Sequence, residues 1–243
     1  MKQLPCSASD PRNNQLLAAL PNAQFARWQT FLEPVYLPLG QVLSDSGRTP
    51  AYLYFPTTAI VSLMYLTQDG GSTEVAVVGN DGVVGISLFM GGDATSSQAV
   101  VQSAGKAYRL PAQLVKDAVD RPGPVLTLLL RYSQAMISQM ALTAMCNRYH
   151  SIDQQICRRI LLGLDRLPSD EMVMTQELLA SLLGVRREGI TAAALKLQLA
   201  GVIRYSRGHI SVLDRSRLEQ RTCECYAGVG REYRRLLPMP LAA

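Results

Sequence analysis

Histidine is almost missing from this chain. His150 and His209 are the only two in 243 residues, which removes most of the acid–base chemistry that imidazole supports. H-E-x-x-H, G-x-S-x-G and G-x-x-x-x-G-K-[ST] are also missing, so zinc-protease, serine-hydrolase and nucleotide-hydrolase readings have no anchor. Catalysis needs a nucleophile with its base, a metal site or a paired acid and base, and an enzyme is not expected. Cysteine is sparse: Cys6, Cys146, Cys157, Cys223 and Cys225. An odd number without regular spacing argues against a disulfide framework. Only Cys223-x-Cys225 is clustered, whereas a zinc or iron–sulfur site usually wants two close pairs or cysteines with histidines. Ordinary reduced thiols are the expectation, with no cofactor and no metal. No apolar run reaches the length of a membrane span, and the start, MKQLPCSASDPRNN, lacks the apolar core of a signal peptide. These features predict a cytoplasmic protein without a membrane partner.

What is present is an ordinary globular composition, with 48% hydrophobic and 18% charged residues. The formal net charge of +5 is unevenly placed. Residues 1–150 hold 10 Lys/Arg against 9 Asp/Glu, and residues 151–243 hold 14 against 10. The basic excess therefore lies in the second part of the chain, where it would favour a phosphate backbone.

That second part contains TQELLASLLGVRREGITAAALKL, residues 175–197. Thr175 suits a helix N-cap, with Gln176 and Glu177 in the first turn. Leu178, Leu179, Leu182 and Leu183 recur at helical spacing. Gly184 suits the left-handed residue that ends a helix. A second helix follows to Leu197, with small residues Ala192 to Ala194 for close packing. Two helices joined by a tight glycine turn predict a helix-turn-helix, whose second helix fits the DNA major groove. Arg186, Arg187 and Glu188 lead that helix. Arginine can pair with guanine O6 and N7, and glutamate can accept from cytosine N4. A solvated helix end with a local ion pair is the bland alternative. After Gly201, residues 202–212 read as a hairpin turning at Arg207-Gly208, the wing of a winged helix. Arg204, Tyr205, Arg207 and His209 are its candidates for phosphate contact.

Taken in order, residues 1–22 read as a polar N-terminal arm that ends in helical sequence broken near Pro21. Residues 23–124 form a domain of many short strand-like runs between Val35 and Arg109, split by Pro38–Gly40, Asp45–Gly47, Asp69–Gly71, Asn80–Gly82 and Gly91–Asp93. This spacing predicts a β sandwich or jelly roll. Residues 125–149 read as one long helix whose apolar stripe includes Leu126, Leu129, Leu130, Ser133, Met136, Ile137, Met140 and Ala144. Such a stripe fits a partner helix in a symmetric dimer, or equally a core helix packed on its own sheet. Residues 150–213 hold the winged helix-turn-helix, with a strand candidate at Met172–Met174, and residues 214–243 a C-terminal helix or tail. The fold class is α+β.

This order of elements resembles the Crp/Fnr family of bacterial transcription regulators. The resemblance spans about Phe25 to Val212 and is most specific in TQELLASLLGVRREGI and LAGVIRYSRGHI. The family implies a cyclic-nucleotide-binding-like jelly roll, a dimerising helix, and a homodimer on double-stranded DNA bearing an inverted repeat. An activator of this kind would also meet RNA polymerase. By position, Arg187 and Glu188 match the base-reading pair, with Arg186 or Thr191 as further base or phosphate contacts. Thr175 and Gln176 match backbone contacts at a helix N-terminus. Ala192 stands where the family often has arginine.

The sensor departs further. After Val84-Gly85 comes Ile86-Ser87, without the ribose-binding acid, and Ala94–Gln98 lacks the phosphate-binding arginine. Tight cyclic-nucleotide binding is therefore not expected. Cys6 stands alone where an N-terminal cysteine cluster would hold iron–sulfur, and residues 1–149 offer no histidine to haem. The residues name no effector. The alternative function is an interaction or ligand-binding module that has lost sequence-specific DNA binding.

Overall fold

The computed structural model describes residues 10–167 and 169–237. Cys6 and the first nine residues of the expected arm lie outside them. The remainder of that stretch is not an arm. Helix α1 (Gln15–Ala18) buries Leu16 and Leu17, and Leu20 follows them into the core. Asn14, fully buried, explains why. Its Oδ1 accepts from the amides of Leu16 and Leu17, capping α1, while its Nδ2 donates to the carbonyls of Pro56 and Gly82 at 2.9 and 2.8 Å. One amide thus satisfies buried backbone groups from three chain segments. The polar composition of residues 1–15 concealed this. Helix α2 (Asn22–Gln29) adds Phe25 and Trp28.

Two antiparallel sheets follow. One orders β1 (Glu33–Leu37), β7 (Gly105–Pro111) and β3 (Tyr52–Pro56). The other orders β2 (Val42–Ser44), β6 (Gln98–Ser103), β4 (Ile60–Leu66) and β5 (Ser72–Val78). Period-two burial, as at Leu53 and Phe55 of β3, points one face of each sheet into a shared core. The expected jelly-roll-like sandwich is present. Helices α3 (Ser87–Met90) and α4 (Ala112–Val119) complete it.

Helix α5 (Pro124–Tyr149) starts with proline at its first position, where no amide bond is lost. It crosses the sandwich and leads into α6 (Ile152–Leu164), which opens with a capping box between Ser151 and Gln154. The second core gathers α6, β8 (Glu171–Val173), α7 (Gln176–Leu183), α8 (Arg187–Leu199), β9 (Ile203–Ser206) and β10 (His209–Val212). The last two helices are α9 (Arg215–Arg221) and α10 (Glu224–Leu236). Helix α10 returns to the first core rather than trailing as a tail. Its Tyr233 meets Tyr132 of α5 edge-on at 6.4 Å and takes a bond from Gln139 Nε2 at 3.1 Å.

Two buried ion pairs join the halves. Arg159 of α6 meets Glu74 of β5, with Nε to Oε1 at 2.6 Å and Nη2 to Oε2 at 3.0 Å, and Ser62 donates to the same carboxylate. Just beyond α6, Arg166 grips Asp81 through Nε at 3.0 Å and Nη2 at 2.6 Å. Burial works against the charge on Arg166, but Asp81 outweighs it and raises the pKa above the usual arginine range. Helix α7 also leans on β5, where Ser72 and Ser181 hydroxyls meet at 2.6 Å. Removing one partner of a buried pair strands the other charge. Glu74→Ala is therefore expected to cost about 3–5 kcal/mol in urea unfolding, while a Ser72→Ala control should cost about 1 kcal/mol.

Candidate nucleic-acid interface

The recognition unit is built locally. Thr175 caps α7, its Oγ1 accepting from Leu178 N at 3.1 Å. Gly184 adopts φ +64° and turns the chain, as its sequence position predicted. Helix α8 then buries Ile190, Ala193, Ala194 and Leu197. The two alanines let α8 lie close to its neighbours. The opposite face, with Arg186, Arg187, Glu188, Thr191 and Ala192, stays exposed.

A cleft of about 630 Å³ runs between the start of α7, the outer face of α8 and the wing. Thr175, Gln176, Arg187, Thr191, Tyr205 and Arg207 line it. Thr191 Oγ1 donates to Gln176 Oε1 at 2.7 Å, so the two helices present one polar surface. Arg186 stands at the N-cap of α8 without a side-chain cap bond, leaving the first amides of that helix open to an anion. Arg186, Glu188, Arg204 and His209 are not among the residues that line the cleft; they are exposed around it.

Glu177, Gln198 and Leu195, not among the contact residues expected from sequence, also line the cleft. Glu177 Oε2 lies 4.0 Å from Arg187 Nη1, and both side chains are mostly exposed. Such a pair is weak. It aims the guanidinium without withholding it from a ligand. Only the acid's place in a first turn was legible in advance, and that read as helix-dipole chemistry.

The wing is a two-residue hairpin. Arg207 and Gly208 both have positive φ, +50° and +80°, the requirement of a type I′ turn. Tyr205 lines the cleft half-buried, but its hydroxyl is engaged within the chain. Its hydroxyl donates to Met174 O at 2.6 Å, and burial lifts its pKa to about 12 against the pull of Arg187. Met174 N donates to the Gly208 carbonyl at 2.7 Å. The wing is thereby fastened beside the first turn of α7.

Along α5 the expected seam divides. Leu130 and Ile137 are 47% and 56% exposed, Ala144 is exposed, and Leu126 and Met140 are half-buried. Leu129, Ser133 and Met136 are buried within their own chain. Leu129 and Met136 lie on the neighbouring stripe and pack into the sandwich, so a partner helix cannot reach them. The sensor has a cavity of about 320 Å³ lined by Leu63, Val84, Ile86, Met90 and Met140 with Ser44, Ser87, Thr95 and Ser97. None of its lining residues is charged. Among the described residues one group could hold a metal ion, formed by Cys146, His150, Cys223 and Cys225. As expected from sequence these three cysteines are free thiols, but they stand together, which their spacing did not indicate.

A model of the Crp-like helix-turn-helix domain matches residues 154–221, and a model of the cyclic nucleotide-binding domain matches residues 34–121. The chain belongs to the Crp/Fnr family. It is a transcription regulator of that type with a helix-turn-helix DNA-binding domain. No curated protein matches it. Solved Crp/Fnr structures share its fold at low identity. A Crp/Fnr regulator from Eubacterium rectale is 19% identical, with 86% of this chain and 98% of that one covered at a TM-score of 0.67. FixK2 from Bradyrhizobium japonicum is 16% identical over 79% and 98%, with a TM-score of 0.65. The c-di-GMP responsive regulator CLP from Xanthomonas campestris is 16% identical over 79% and 99%, with a TM-score of 0.60. No helix among the described residues is long and apolar enough to cross a membrane.

The wing offers a direct check on this Crp/Fnr interface. A Cβ at Gly208 would stand 3.0 Å from Thr175 Cγ2 on a left-handed backbone. Gly208→Ala is expected to lower stability by about 1–2 kcal/mol and to speed amide exchange at Met174, whose donor depends on that turn.

Proposed function

We propose that this regulator acts as a homodimer on an inverted repeat, with α8 in the major groove of each half-site. The cleft carries the reading: it gathers Thr175, Gln176, Arg187, Thr191 and Arg207 around the exposed face of one helix. Arg187 and Glu188 read base edges, with Arg186 beside them. Thr175, Gln176, Thr191 and Arg207 bind phosphates, and Arg204 and His209 reach the flanking backbone. Ala192, which carries no hydrogen-bonding group, leaves base recognition to the start of the helix.

The dimer forms along Leu126, Leu130, Ile137, Met140 and Ala144. With Ser133 these positions alternate steps of four and three residues, the period of a two-helix seam. Exposed leucine and isoleucine on a helix this long favour that use. The sensor cavity, lined by neutral groups only, offers no countercharge for a cyclic phosphate. It suits a small uncharged molecule, in contact with α5 through Met140. RNA polymerase contact follows if the protein activates, and the site of action is the cytoplasm.

Selection from random duplex DNA should return an inverted repeat. The double variant Arg187→Ala, Glu188→Ala should lose at least about 10-fold in affinity for it, given about 1–3 kcal/mol per base contact, with its melting curve unchanged. Equal operator affinity in that variant would refute base reading by this helix. Ile137→Glu should sediment as a monomer. Titration with cyclic AMP should give no saturable heat; saturable micromolar binding would overturn the reading of the cavity.

A further inference from the structure

The end of α5 and the start of α10 bring four donor atoms together. Cys146 lies in the last turn of α5, and His150 caps that helix four residues on. Cys223 stands at the N-cap of α10, and Cys225 lies in its first turn. All four ligand atoms are within 4.8 Å of one another. Cys146 Sγ is 3.6 Å from Cys223 Sγ, and Cys225 Sγ is 3.6 Å from His150 Nδ1. A tetrahedral zinc ion, with bonds of about 2.3 Å to sulfur and about 2.0–2.1 Å to nitrogen, sets its ligand atoms roughly 3.5–3.8 Å apart. Both spacings match.

Two further observations point to a bound cation. The other nitrogen of the imidazole, His150 Nε2, lies 3.3 Å from Glu224 Oε1. A carboxylate on the far side of a ligating histidine fixes the ring and its tautomer, leaving Nδ1 free for metal. Next, Arg158 of α6 is buried, yet no carboxylate pairs with it among the described residues. Its Nη2 donates to Thr143 Oγ1 at 2.8 Å, and its Nε has no partner. An unpaired buried guanidinium is costly. Its charge is felt at both Cys146 and Cys225.

We infer that Cys146, His150, Cys223 and Cys225 form a structural zinc site that staples α10 to the end of α5. On binding, three thiols release their protons to solvent, and three thiolates with a neutral imidazole coordinate Zn²⁺. The resulting group carries one negative charge, which neutralises Arg158. Four protein ligands close the coordination shell, so the ion is structural and activates no water. The site is compatible with the proposed dimer. Cys146 lies about 200° around the helix from Ala144, away from the seam. It is also adjacent to the joint between sensor and DNA-binding domain, where Gln155 of α6 donates to His150 O at 2.9 Å.

The full chain, purified with reductant and without added metal, should contain one zinc per chain by elemental mass spectrometry. After chelation, Co²⁺ alone should restore the thiolate charge-transfer and d–d bands of a tetrahedral cobalt site. Cys223→Ser and Cys225→Ser should lose those bands, and Cys157→Ser, a buried thiol outside the cluster, should keep them. Glu224→Gln should weaken zinc binding about 10-fold. Should the serine variants fail to fold, alkylation of the wild-type thiols with a chromogenic chelator present still counts the zinc released. Wild-type protein without zinc or tetrahedral cobalt overturns the proposal. So does an unchanged cobalt spectrum in Cys223→Ser, or a Cys146–Cys223 disulfide in protein taken directly from cells.

Discussion

A carboxylate buried between two domains sets the geometry on which everything else rests. Glu74 projects from β5 of the sandwich and receives Arg159 of α6 and the Ser62 hydroxyl. A charge in that position has no solvent to fall back on, so α6 must hold its register against the sensor. Arg166 and Asp81 repeat the arrangement just beyond the C-terminal end of α6. With α6 fixed, α8 and β8 pack on it, the wing joins α8 and β8, and the exposed start of α8 acquires a defined direction. The interface for DNA is thus oriented from the sensor side by electrostatics and assembled on the other side by apolar packing.

The recognition unit was legible because its signals are local. A cap, a glycine turn and a period of 3.6 need only neighbouring residues, and Thr175, Gly184 and the Leu178–Leu183 face behave as their positions predict. What sequence concealed depends on distant partners. Asn14 looked like arm sequence, yet its role is set by Pro56 and Gly82. Leu129 and Ile137 belong to one apolar run and face opposite environments, because a helix against a sheet buries one stripe and displays another. Tyr205 read as a phosphate contact, but a carbonyl three elements earlier claims its hydroxyl. The cysteines were judged by spacing, and spacing is silent about two helix ends that meet after 77 residues.

The domain that matches the cyclic nucleotide-binding model holds a cavity with no charged residue in its wall. Its cavity occupies the space between the β4 strand, the Val83–Ser87 turn and α5, and its walls are aliphatic with a few hydroxyls. Met140 belongs both to that wall and to the outward stripe of α5. Volume inside the sensor and the helix surface are therefore separated by one flexible side chain, which can repack without backbone movement.

The return of α10 changes what kind of object the DNA-binding domain is. It leaves α5 after Tyr149 and rejoins the same helix through α10, whose Tyr233 and Leu236 lie in the sensor core. Topologically it is an insertion, not a pendant. A domain hung on one linker can swing through a cone of directions. One fastened at both entry and exit, with the two fastenings side by side, keeps mainly a rotation about the line through them. Here even that rotation is opposed by the Arg159–Glu74 and Arg166–Asp81 pairs, so the exposed face of α8 keeps one direction relative to the sandwich.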